Sequence, residues 1–529
     1  RSLTALAESL TNVVNAQLLF EDATEDKGPL DCTASENVLI MQAFEWHVPD
    51  DQLHWQRLRQ LLPSLKDIGV DKLWIPPGCK GMDPSATGYD IYDMYDLGEF
   101  YQKGSRATRW GPKEELQALV YAARAIGIGV YWDTVLNHKA GADFTERFKA
   151  VKVDPHQRNV EIAPPEDIEG WVGFDFPGRR GKYSSMKYHW RHFTGVDWDN
   201  MSSQHAIYKT CGYQKGWAMD VSDENGNYDY LMFANVDHSH PEVQNDIFKW
   251  AEWIGTEIPI SGMRIDAAKH YSAAFQKKFI DHLRATVGAD YDLVGEYWRG
   301  EVGLLLEHLN LMDHQISLFD VPLVGRFSVI SNTKNADLRL VFKGTLVEQR
   351  PRHAVNYRFF NVEGSSRASQ TLIAPFFKPL AYALILLRWQ GQPCVFYGDL
   401  YGIRGGPKPR LGPSCGGKLQ ILTRARKLYA YGNQRDYFDK RQCIGFVRYG
   451  DLHHPFGLAC VLSIAATSQK RMYIGLSHVG EKWTDILQSQ TGTVVIDDGG
   501  YGIFSVASKS VSVWVNSRAE GRHNIARHL

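Results

Sequence analysis

The sequence predicts an α/β chain: a (β/α)8 TIM barrel with an inserted domain after strand 3 and a C-terminal antiparallel β-sandwich. Three observations predict it. Short apolar segments alternate with longer amphipathic stretches eight times between about residues 36 and 430, the pattern of a parallel barrel. The interval between the third and fourth segments, 138–240, is far longer than a normal crossover. After about residue 430 the helical periods stop and β-type alternation with turn residues takes over.

In order, the strand segments are "VLIMQAFEW", "KLWIPP", "GVYWDTVL", "GMRIDA", "DLVGEYW", "ISLFDVPL", "AVNYRFF" and "PCVFYGD". Between them lie helical patterns such as "WQRLRQLLPSLKDIG", "KEELQALVYAARAIG" and "FKPLAYALILLRWQG". No Gly-rich dinucleotide loop follows the first strand, which argues against a doubly wound open sheet. The expected organisation is an N-terminal extension over 1–35, a barrel over 36–137 and 241–430, an inserted domain over 138–240, a sandwich over 431–517 and a tail over 518–529. The sandwich strands are "CIGFVRYG", "GLACVLSI", "KRMYIGLS", "TVVIDDGGYGIFSVA" and "SVSVWV".

A net charge of −1 over 529 residues gives no electrostatic basis for nucleic-acid or anionic-membrane binding. No apolar run reaches the ~18 residues a membrane span needs. The seven cysteines are scattered without CxxC spacing, which favours reduced thiols and a cytoplasmic setting. Fifteen Trp and 25 Tyr suit stacking on flat ligands such as sugar rings as well as they suit a large core.

In a parallel barrel, polar residues at the C-terminal strand ends build the active site. Strand three ends in Asp133, Asn137 and His138; strand four in Arg264, Asp266, Lys269 and His270; strand five in Glu296; strand eight in Asp399. Arg264 and Asp266 are two apart and so share a face. Asp266 and Glu296 have the composition of a retaining glycosidase pair, one ionised nucleophile and one protonated acid about 5 Å apart. Arg264 is expected to hold Asp266 ionised, and burial between Val294 and Tyr297 to keep Glu296 protonated.

With those residues in place, "YWDTVLNH", "GMRIDAAKH" and "LVGEYW" resemble three signature regions of the α-amylase family, glycoside hydrolase family 13. The resemblance runs from about residue 38 to 516 and looks closest to the bacterial liquefying and intracellular fungal members. It implies hydrolysis of α-1,4-glucans (starch, glycogen or maltooligosaccharides) with retention, by a monomer. Asp266 matches the family nucleophile and Glu296 its general acid/base. Arg264 matches the arginine that orients the nucleophile, His138 and Tyr89 match groups on the sugar at the cleavage subsite, and Lys269 and His270 match residues on the leaving-group side. Transfer to a sugar instead of water, a 4-α-glucanotransferase reaction, uses the same carboxylates.

Two departures stand out. The family places a third carboxylate at the end of strand seven, in an Asn-His-Asp motif. This chain aligns Phe360, Asn361 and Val362 there, and valine neither accepts a hydrogen bond nor carries charge. Three readings stay open: impaired catalysis or a non-catalytic glucan binder, replacement by Glu363 through a local bulge, or an error in the segment. The resemblance also implies a calcium ion held by Asn137, Asp229, Asn235 and His270. Thr194 and Ala218 stand where acidic ligands of a neighbouring metal cluster are usual, so one weakly held ion is expected.

Overall fold

The computed structural model describes residues 37–357, 372–403 and 412–527. The N-terminal extension, the segment with Val362 and Glu363, and the last two residues of the tail lie outside the described residues.

Eight parallel strands close into a barrel: β1 (Ile40–Gln42), β2 (Lys72–Trp74), β3 (Gly129–Thr134), β4 (Gly262–Ile265), β5 (Asp292–Gly295), β6 (Ser317–Phe319), β7 (Ala354–Tyr357) and β8 (Gln392–Phe396). Each is paired to the next in chain order, and β8 returns to β1 with Cys394 opposite Ile40. Alternation sorts the side chains. Ile40, Trp74, Tyr131, Val294, Phe319, Val355 and Cys394 meet inside the barrel, while Met41, Leu73, Trp132, Met263, Leu293, Leu318 and Val395 join the core under the helices.

Those helices are α1 (His54–Asp67), α2 (Lys113–Ala125), α3 (Pro241–Glu257), α4 (Ala273–Ala285), α5 (Val302–Leu311), α6 (Val321–Asn332), α7 (Lys378–Leu387) and α8 (Lys418–Tyr429). Their starts follow local chemistry. Pro241 opens α3, where a missing N–H costs nothing, and the Ser272 hydroxyl caps α4 by accepting from the Phe275 amide. In α3, Val243, Ile247, Trp250, Ala251 and Ile254 lie on one buried face.

The chain between β3 and α3 folds into a six-stranded sheet that includes His138–Lys139, Phe193–Asp199 and Ala234–Val236. At the C-terminus a six-stranded antiparallel sheet and a two-stranded one pack around Met472, Trp483, Phe504 and Trp514. The fold class is therefore a (β/α)8 barrel with an insertion after β3 and a terminal β-sandwich. Several strands are shorter than their sequence patterns, β1, β2, β3, β5 and β6 among them; β4 stops at Ile265, and Ala267 sits at φ 52°, a left-handed conformation that breaks the ladder.

Candidate active site

Strand geometry brings the site together. At the start of β4, a Cβ on Gly262 would meet the Asp292 carbonyl oxygen at 2.3 Å and the Tyr131 ring at 2.9 Å, so only glycine lets β4 approach its neighbours there. Two residues on, Arg264 faces the same barrel interior, with Asp133 of β3 and Val294 of β5 as its register partners. Another step of two reaches Asp266 just after β4 and Glu296 just after β5. All three charged strand ends converge because each lies an even number of residues from an inward-facing neighbour.

One guanidinium holds them. Arg264 Nη1 donates to Asp133 Oδ1 at 2.8 Å and to Asp266 Oδ1 at 2.6 Å, and Nη2 lies 2.7 Å from Glu296 Oε2. Its plane lies over the Trp74 ring at 4.8 Å. The second Asp133 oxygen accepts from the Tyr89 hydroxyl at 2.6 Å and from the Trp74 indole at 2.8 Å. The Ala267 N–H, turned by its left-handed backbone, donates to Glu296 at 3.2 Å.

Burial dominates the electrostatics of the cluster. Asp266 is buried, and burial pushes its carboxyl up to about 8; Arg264 opposes this, and the Glu296 and Asp133 charges add to it. Asp133 is raised as well, by burial first. Glu296, expected to be the buried member, keeps a quarter of its side chain exposed. One arginine facing three carboxylates cannot hold all of them ionised without water or a ligand.

Tyr89 is placed beside the cluster with its ring stacked on Trp46 at 5.7 Å. His138 is buried: its Nε2 donates to the Tyr89 carbonyl at 2.6 Å, and its Nδ1 accepts from the Asn137 amide at 3.2 Å. Burial holds its imidazole down to about 4. A sugar hydroxyl would therefore have to share or displace one of those bonds. The Lys269 ammonium pairs with Glu224 and donates to the Trp298 carbonyl, and His270 Nδ1 bonds to the Tyr228 carbonyl at 2.9 Å. Asp399 does not join the site. It sits buried after β8, accepting from the Tyr382 hydroxyl of α7. Sequence reasoning counted Asp133 among the polar strand ends without assigning it a specific role, and passed over Trp46; the further signal for Asp133 was its inward phase in β3, for Trp46 only its aromatic type.

Beneath the His138 end, Asn137, Asp229 and Asn235 meet. Asn137 Nδ2 donates to Asn235 Oδ1 at 3.3 Å, and Asn235 Nδ2 to Thr194 Oγ1 at 2.8 Å. Asn137 Oδ1 is buried without a hydrogen-bond partner. Asp229 is buried, receives the Ala218 amide at 3.2 Å, and is pushed by burial up to about 7. An orphaned amide oxygen beside a buried carboxylate with only neutral donors fits a hard, oxygen-seeking dication. A second cluster, His192, His240 and Glu242, has ligand atoms within 4.8 Å of one another, but hydrogen bonds account for it. Each histidine Nδ1 accepts a backbone N–H, and His192 Nε2 donates to Glu242 at 2.7 Å.

Residues 44–299 match the family model described as alpha amylase, catalytic domain. The chain is 43% identical over 484 residues to the glucan 1,4-alpha-maltohexaosidase of Bacillus sp. (strain 707), covering 91% of this chain and 92% of that protein. It is 36% identical over 489 residues to the cytoplasmic alpha-amylase of Escherichia coli (strain K12), covering 90% and 99%. The crystal structure of an Anoxybacillus alpha-amylase shares the fold, with a TM-score of 0.60 at 17% identity, covering 90% of this chain and 97% of that one.

Proposed function

We propose that this chain, which belongs to the α-amylase family, cleaves α-1,4-glucosidic bonds of starch-like glucans with retention of configuration. The observation that carries the reading is the single guanidinium of Arg264 in contact with both Asp266 and Glu296. Two carboxyls held on one planar group stay close together, as a retaining pair needs.

Asp266 is the nucleophile. Substrate binding displaces water and brings the developing positive charge of the sugar to it, which favours the ionised form that burial alone disfavours, with the proton carried by Glu296. Its oxygen attacks the anomeric carbon while Glu296, open to solvent on the leaving-group side, gives a proton to the departing glycosidic oxygen. A glycosyl ester on Asp266 results. Glu296, now a carboxylate, takes a proton from water, and that water breaks the ester and restores both groups. Tyr89 with Trp46 offers an aromatic platform for a sugar face.

Asn137, Asp229 and Asn235 would hold calcium, with His270 as the further ligand. The ion would supply charge that neutralises Asp229 and ties the insertion to the end of β3.

Because Val362 replaces the expected third carboxylate, turnover is reduced. A cytoplasmic setting is part of the same reading. It is supported by the E. coli relative's name and by the free thiols of Cys79, Cys211, Cys394, Cys443 and Cys460. No helix among the described residues is long and apolar enough to cross a membrane.

The test is release of reducing ends from soluble starch and maltooligosaccharides by the wild-type chain and by Asp266→Asn. Glucan cleavage that survives in the variant overturns the reading.

A further inference from the structure

We propose that Lys215 is a resident counter-cation: its ammonium fills an oxygen-lined site in the insertion that would otherwise recruit a metal ion. Lys215 Nζ donates to Asp237 Oδ2 at 2.6 Å and to the Arg191 main-chain carbonyl. Both side chains are only 6% exposed. A carboxylate and a peptide carbonyl are the donors a hard cation takes, and here the chain supplies the cation itself.

The site is built from three segments. Asp237 follows the strand Ala234–Val236, its backbone N–H donates to the His192 carbonyl at 2.8 Å, and its other oxygen receives the Ser239 hydroxyl at 2.6 Å. Arg191 belongs to the turn just before the strand Phe193–Asp199. Lys215 reaches in from the loop between Gly212 and Gly216, both at positive φ. That loop places Tyr213 90% exposed while drawing the lysine inward, so the ion pair is what anchors it. Removing the ammonium would leave a buried carboxylate without a counter-charge, a costly state that a solvent cation relieves.

The inference deepens the calcium reading. If Lys215 satisfies Asp237, the insertion needs a metal only at Asn137, Asp229 and Asn235, two residues away along the strand.

Equilibrium dialysis against calcium, with elemental analysis of the bound ion, compares wild type, Lys215→Met and Lys215→Met/Asp237→Asn, and thermal melting follows each with chelator or calcium. Lys215→Met is expected to bind one calcium more than wild type and to gain more melting temperature from calcium. The double variant is expected to lose both differences. Equal stoichiometry and equal calcium response in wild type and Lys215→Met would overturn the proposal. So would a Lys215→Met chain that calcium cannot fold and that Asp237→Asn does not restore. A wild type that binds no calcium would count against the Asn137/Asp229/Asn235 reading alone, since the proposal rests on the difference between variants.

Discussion

Asp133 and Arg264 face each other as register partners on β3 and β4, 2.8 Å apart and both buried. Asp133 thereby orients the arginine that holds Asp266 and Glu296, while its second oxygen is fixed by Tyr89 and Trp74. The pair is the structural base of the site, although Asp133 touches no reacting atom in the proposed mechanism.

Asp133→Asn leaves Arg264 paired with Asp266 and Glu296 and is expected to destabilise the protein by about 1–3 kcal/mol, the cost of disturbing a buried hydrogen-bonded group, and to lower kcat more than it raises KM. Urea denaturation and steady-state kinetics check both. A change in stability within about 0.5 kcal/mol would mean that Asp133 is not holding Arg264.

Calcium dependence should vary with pH. In the calcium-free chain the Asp229 carboxyl is raised from 3.8 to about 7. Its contribution to stability is full below 3.8 and is lost as pH rises through about 7. Calcium, which binds the ionised form, should restore progressively more over that window. Melting temperatures with chelator and with calcium across this range test it; a calcium increment independent of pH contradicts it.

Asp266→Asn is expected to be inactive, by roughly 10⁴-fold or more, yet no less stable than wild type at the alkaline end. Wild-type Asp266 loses its stabilising contribution as pH rises from 3.8 to about 8, and asparagine does not titrate. The stability gap should widen in favour of the variant across that interval, a trade of stability for function. Paired melts across the interval read it; a gap that narrows or changes sign contradicts it.

Val362→Asp should raise kcat by about 10²-fold, the scale of restoring one charge-stabilising group at the transition state. Starch hydrolysis by the two chains side by side measures it. Equal rates would show that the strand-seven carboxylate is dispensable here.

Much of this was legible in the sequence because β-strands alternate. The spacing of Arg264 from Asp266 placed that pair on one face from the sequence alone. What alternation could not supply was register. That Asp133 sits opposite Arg264, and that Asp399 is claimed by Tyr382 of α7, depends on pairing and packing between distant segments. The charge balance around Asp266 was hidden for the same reason. Arg264 beside Asp266 suggested an ionised nucleophile, but three carboxylates on one guanidinium, with burial, raise the Asp266 carboxyl instead. The left-handed turn at Ala267 was hidden because alanine gives no local signal for it.

The most direct test uses an α-maltosyl fluoride and the Glu296→Gln chain. Fluoride leaves without a proton from the acid, while removal of the sugar still needs the missing base, so the glycosyl ester should accumulate. Intact-mass and peptide mapping are predicted to find one maltosyl adduct, on Asp266. An adduct on another residue, or release of β-configured product with no adduct, would contradict the account.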